Sequence, residues 1–157
     1  MRAADHEGLR RQMLAEISAA TVRVSGLIGK AALNERVMAA MGKVARHEFV
    51  PVELQPYAYA NLPLPIGFNK TISQPFIVAL MTDLLGISSD DAVLEIGTGL
   101  GYQAAILAQL ARKVYSNELI RRARATGEAT TPSGGVHQRR AQDCEWLSWL
   151  VRARPVR

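Results

Sequence analysis

The sequence is poor in several kinds of residue, and each shortage narrows what it can be. Its one cysteine, Cys144, excludes an intramolecular disulfide framework and is neutral about compartment. Its three histidines, His6, His47 and His137, show no metal-ligand spacing, so no metal site is expected. No apolar run approaches the roughly 20 residues of a membrane-spanning helix. The N-terminal stretch lacks the charged start, apolar core and small-residue cleavage site of a secretory signal. A soluble, cytoplasmic protein with no membrane partner is the expectation.

Charge is present but unevenly placed. The net charge of +5 on 157 residues would suit a nucleic-acid binder if it were spread over the domain. Residues 1–120 carry four lysines and seven arginines against eleven acids, and so are neutral. Residues 121–157 carry eight arginines against three acids, together with both tryptophans and the cysteine. The basicity therefore belongs to the last stretch. Its paired arginines, Arg121-Arg122 and Arg139-Arg140, have no interleaved aromatics, and no nucleic-acid partner is expected. Cys144 lies between Asp143 and Glu145, which disfavours a thiolate nucleophile.

The 48% of hydrophobic residues suffice for one modest core. Leu9, Met13, Leu14 and Ile17 recur at helical spacing within residues 6–20, and Ser25-Gly26 and Gly29 are expected to break that helix. Asn34 can cap a second helix with Val37, Met38, Met41 and Val44 as its apolar stripe. Residues 51–75 hold five of the seven prolines and read as an extended segment lying against the domain. A helix is expected from Ser73-Gln74-Pro75 to Gly86, with Phe76, Ile77, Leu80, Met81, Leu84 and Leu85 as its apolar residues. Ala92–Ile96 reads as a buried strand, residues 102–112 as an apolar helix, and 113–118 as a second strand. That is one strand–helix–strand unit of a parallel sheet. Residues 121–135 show no periodicity and read as loop, Cys144–Val151 as one short helix, and no third strand is legible.

The chemistry lies in the turn Gly97-Thr98-Gly99-Leu100-Gly101, which ends one strand and opens a helix. Glycines there let the backbone approach a ligand closely. Glu118, 21 positions after Gly97, ends the next strand, where a carboxylate can grip ribose hydroxyls. A dinucleotide binder would place its third glycine one residue later, so a nicotinamide-dependent oxidoreductase is the lesser alternative. With Glu95 in the strand, this turn looks like the S-adenosylmethionine-binding motif of class I methyltransferases.

Upstream, Leu64-Pro65-Ile66-Gly67 followed by Thr71-Ile72-Ser73-Gln74-Pro75 resembles the protein-L-isoaspartate O-methyltransferases. The likeness continues through Phe76–Leu85, includes Arg46–Pro51 and Ala58-Tyr59-Ala60, and covers roughly residues 30–120. It implies an α/β, Rossmann-like class I methyltransferase fold using S-adenosyl-L-methionine, with isoaspartyl-containing proteins and peptides as substrate. Methyl transfer would go to the free carboxylate of an L-isoaspartyl residue. By the same resemblance Ser73 is the active-site serine that orients the substrate carboxylate, and a helix cap is its alternative role. Thr71 and Ile72 line the cofactor pocket, Gly97, Thr98, Gly99 and Gly101 wrap the methionine part, Glu95 lies near its amino group, and Glu118 holds the ribose.

The expected organisation is a helical segment over 1–50, the first half of the methyltransferase domain over 51–120, and an arginine-rich, poorly ordered tail over 121–157. The parallel sheet is then incomplete. The resemblance implies further strands beyond residue 120, and residues 121–157 show none of their motifs. The methyltransferase is then expected to be truncated and can be inactive in this form, and a non-catalytic fragment or interaction protein is the alternative function.

Overall fold

A computed structural model describes residues 5–67, 69–118 and 136–138. Helix α1 (His6–Arg23) is capped by Asp5, whose carboxylate accepts the Gly8 amide at 2.8 Å. Met13, Ile17, Ala20 and Thr21 form its buried face, at the spacing that 3.6 residues per turn requires. Helix α1 ends at Val24, just before Ser25-Gly26, as expected. One more turn, α2 (Ser25–Ile28), forms there, and Gly29 ends it with φ 72°. Helix α3 (Glu35–Lys43) starts at Asn34, whose side chain accepts the Arg36 amide at 2.8 Å.

The proline-rich stretch is less extended than expected. Short 3-10 turns at Arg46–Phe49 and Val52–Tyr57 lead into an antiparallel hairpin of β1 (Leu64–Gly67) and β2 (Lys70–Ile72). Prolines set φ near the value that tight helical turns need, which explains why Pro51 and Pro56 are accepted there. Leu64 faces Ile72 across the hairpin, and both side chains are buried.

Helix α4 (Pro75–Leu84) begins with proline in its first turn, as its sequence suggests. Its N-cap is Gln74, not Ser73, and Gln74 makes no side-chain cap. Asn61 supplies the missing acceptor: its Oδ1 takes the Phe76 amide at 3.0 Å, while Gln74 Nε2 donates to the Asn61 carbonyl at 2.9 Å. Phe76, Val78, Ala79, Thr82 and Asp83 turn inward, whereas Ile77, Met81, Leu84 and Leu85 are exposed. Two polar groups thus displace expected apolar ones from the interior, because both find partners there. Thr82 Oγ1 donates to the Val78 carbonyl, and Asp83 accepts from Lys30 at 2.5 Å and from the Asn34 amide at 2.6 Å.

Strand β3 (Ala92–Ile96), helix α5 (Tyr102–Leu107) and strand β4 (Lys113–Asn117) form the parallel unit, with Ala92 opposite Lys113 and Ile96 opposite Asn117. Helix α5 is shorter than the 102–112 expected; separate turns such as Leu110 N–H to the Leu107 carbonyl follow it. Ala104 and Leu107 pack on Val114, with Val93 beside them, so one face of the sheet is covered. The other carries no cover among the described residues: Leu94 is 40% and Ile96 67% exposed, where a buried strand was expected. A third strand, β5 (Val136–Gln138), pairs parallel to β4, giving the order β3-β4-β5. No strand was legible there, since three residues are too few for a period to show. The loop reading of 121–135 and the helix reading of Cys144–Val151 lie outside the described residues.

The main core is shared by α1, α3, α4, α5 and the hairpin, and contains Met13, Ile17, Met41, Val78 and Ile106. No helix among the described residues is long and apolar enough to cross a membrane.

Candidate active site

The C-terminal ends of β3 and β4 meet at the glycine turn. Gly97, Gly99 and Gly101 have φ of 84°, 56° and 88°, all in the left-handed region that side chains with a Cβ resist. A Cβ on Gly97 would meet nothing within 4 Å, so the turn presents bare backbone to open space. Gly101 is the N-cap of α5, and its carbonyl accepts the Ala105 amide at 2.9 Å. The Gly97 and Thr98 amides both donate to the Asn117 carbonyl, at 2.8 and 3.2 Å, which ties the turn to the end of β4.

Two carboxylates flank this turn. Glu118, one residue past β4, accepts the Gly99 amide at 2.7 Å through one oxygen. Glu95, in β3, accepts from Ser116 Oγ at 2.5 Å, and Ser116 in turn shares a hydrogen bond with Thr98 Oγ1. Burial pushes the Glu95 carboxyl above its ordinary range; the hydroxyls of Ser116 and Thr98 oppose that shift, and Glu118 adds to it. The buried Asn117 Oδ1 has no hydrogen-bond partner, an acceptor left over at the same strand end.

Of the residues singled out from sequence, Glu95, Gly97, Thr98, Gly99, Gly101 and Glu118 come together in this cluster. Thr71, Ile72 and Ser73 sit at the end of the hairpin. The neighbouring Ile66 brings that hairpin to the turn, its Cδ1 lying 3.9 Å from where a Gly99 Cβ would be. The Ile72 side chain points into the core, leaving its main chain for any contact with a ligand. Thr71 and Ser73 are exposed. Ser73 is not the helix cap, so the bland explanation of its hydroxyl falls away.

Sequence reasoning gave no role to Arg46, Asn61, Tyr102, Ser116 or Asn117. Arg46 is completely buried, and donates from Nε to the Ala58 carbonyl at 2.8 Å and from Nη2 to the Ser73 carbonyl at 2.6 Å. Its guanidinium carbon stands 4.6 Å from the centroid of the Tyr102 ring. Burial lowers the Arg46 pKa, against the attraction of Tyr102, and pushes the Tyr102 phenol up to about 12. Nothing in a local pattern marks these residues, because their partners are distant in the chain. Asn117 and Ser116 were legible only as members of a strand.

A strand, a glycine turn, a helix and a second strand, with an acid near the end of each strand, make a strand–helix–strand unit of the Rossmann-like α/β fold that class I methyltransferases have. The family profile of protein-L-isoaspartate(D-aspartate) O-methyltransferase matches residues 23–131. The chain belongs to that family. It is 66% identical over 116 residues to protein-L-isoaspartate O-methyltransferase 1 of Polaromonas sp. (strain JS666), covering 74% of this chain and 49% of the relative. It is 54% identical over 144 residues to protein-L-isoaspartate O-methyltransferase 2 of Nitrosococcus oceani, covering 91% of this chain and 66% of the relative. Likeness of that length runs past residue 120, further than the motifs alone reach.

A solved protein-L-isoaspartate O-methyltransferase superposes with a TM-score of 0.54 at 25% identity, over 69% of this chain and 37% of that one. A β-aspartate methyltransferase from Plasmodium falciparum, solved in complex with S-adenosyl-L-homocysteine, shares the fold with a TM-score of 0.57 at 18% identity, over 80% and 54%. The chain spans about half the length of several of the curated relatives it matches.

Proposed function

We propose that the glycine turn binds S-adenosylmethionine and that methyl transfer goes to the free α-carboxylate of an L-isoaspartyl residue in a damaged protein or peptide. The observation that carries this reading is the Glu118 carboxylate on the Gly99 amide, beside three glycines of positive φ. That bond sets the Glu118 carboxylate at the turn, where the ribose of the cofactor would lie. Bare backbone at Gly97 leaves room for the methionine part, and Glu95 offers a carboxylate at the same strand end.

The cofactor supplies an electrophilic methyl on a sulfonium. The substrate carboxylate, with a pKa near about 4, is ionised at pH 7 and needs no general base. Transfer to that oxygen would form an O–CH3 bond at the expense of the cofactor's S–CH3 bond, with the electron pair going to a neutral thioether leaving group. The protein's part is to align that anion and remove its water. The exposed Ser73 hydroxyl, at the start of the α4 segment, is the donor that orients it. Residues 51–120 hold the cofactor in this reading, and the helical segment of 1–50 supports them. Nucleic acid, membrane and metal have no part in it. A cytoplasmic location accompanies the cofactor rather than any feature of the fold.

The uncovered face of β3 favours a second reading, a family member that binds cofactor without turning over. Labelled S-adenosylmethionine with an isoaspartyl peptide, an aspartyl peptide as control, and calorimetric titration of S-adenosylhomocysteine separate the two. Transfer to the isoaspartyl peptide alone supports the enzyme. Binding without transfer supports the second reading, and no binding refutes both. The family match leaves the nicotinamide alternative without a footing.

A further inference from the structure

Arg46 is an unusual residue to find sealed in a core. Its side chain has zero exposure, and it forms no ion pair with a carboxylate among the described residues. Two carbonyls and one aromatic ring are its partners, and Nη1 is buried without any. Burying a charge on such terms is costly against an apolar residue of similar size, so stability alone is a poor reason for it. What the guanidinium does is join three segments that are distant in sequence. Ala58 ends the second 3-10 turn, Ser73 precedes α4, and Tyr102 is the first residue of α5, directly after Gly101.

The geometry points to Arg46 as a positioning residue that sets the Ser73 main chain relative to the glycine turn. This rests on the reading of Ser73 and Gly97–Gly101 as the two halves of one site. The Nη2 bond takes hold of Ser73 at its carbonyl, whose carbon is bonded to the Cα that bears the hydroxymethyl side chain. The flat face of the same group lies on the ring that opens α5, and the Phe49 ring meets Tyr102 edge-on at 5.5 Å from the other side of the first 3-10 turn. Only a planar fork can donate along two directions while stacking through its face. A lysine would keep the charge and lose the geometry.

The test uses the full chain with Arg46→Lys, and with Ile17→Ala as a variant destabilised elsewhere in the core. Amide hydrogen exchange on the ligand-free proteins and steady-state methyl transfer are both read. In Arg46→Lys, amides of Ile72–Phe76 and of Gly101–Gln103 exchange at least about tenfold faster while those of α1 keep their protection. Its kcat falls by about 100-fold, the effect of an ångström-scale misplacement, with the KM for S-adenosylmethionine unchanged. Ile17→Ala lowers the melting temperature and leaves kcat at 20 °C intact. The inference is overturned if Arg46→Lys exchanges like the parent, or if its kcat matches that of Ile17→Ala. A parent that makes no methyl ester refutes the assigned function, and the exchange arm still decides whether Arg46 joins the two segments. Should Arg46→Lys not fold, Tyr102→Leu removes the other end of the link and is read in the same way.

Discussion

Met41 and Leu94 are both large and apolar, yet Met41 is sealed among α1, α3 and Tyr102, whereas Leu94 lies 40% exposed on the outer face of β3. The two regions differ in what stands opposite them. Around Met41, α3 meets α1, α4 and α5, and the Tyr102 hydroxyl reaches the Met41 sulfur. Around Leu94 one face of the sheet carries α5, and the other carries nothing among the described residues. Apolar character makes burial favourable, but only a facing element makes it happen.

Changes in the closed region should have the largest effect. Ile17→Ala leaves a cavity in the fully buried face of α1 and is expected to cost about 2–5 kcal/mol, read from urea unfolding. A loss under about 1 kcal/mol would mean that this core is as slack as the open face.

Glu95 sharpens the contrast, since it sits on the covered face between the exposed Leu94 and Ile96. Its folded pKa is raised above the ordinary 4.5, chiefly by burial, so the folded state holds the proton more tightly than the unfolded state. The destabilisation is therefore absent below about pH 4.5, grows as pH rises toward the folded value, and is constant beyond it. Glu95→Gln should gain stability on the parent through that window and keep the gain at pH 7, while binding S-adenosylhomocysteine more weakly. A stability difference that does not change with pH would remove burial of the charge as its cause.

The smallest effect is expected on the open face. Leu94→Thr removes an apolar group that water already reaches and should change the unfolding free energy by no more than about 0.5 kcal/mol. It should also reduce concentration-dependent light scattering, because less apolar surface is offered to a second molecule. A loss of 2 kcal/mol or more, as expected of a filled core position, would show that Leu94 is covered in solution.

Much of this division could be read from sequence, and the unread part has a physical reason. The helix stripe of α3, the cap at Asn34, the glycine turn and the acid 21 positions beyond it are local patterns, and each appears where expected. Helix α4 was legible as a helix but not as a face, because Ile77, Leu80, Met81 and Leu84 encircle too much of it for periodicity to choose a side. Thr82 and Asp83 are buried because Gln103, Lys30 and Asn34 come to meet them from elsewhere in the chain. Arg46 is the extreme case. Its partners lie 12, 27 and 56 positions away, and no window of sequence contains them.

The Asn117 carbonyl, accepting two amides of the glycine turn, bears on how the sheet assembles. Parallel neighbours have no hairpin to align them, and a slip of one residue exchanges the two faces of a strand. Here a slip of β3 along β4 would strand the Gly97 and Thr98 amides and turn Glu95 away from Ser116. Alignment of the strands and formation of the turn are therefore one event, and a mispaired sheet cannot carry a finished glycine turn.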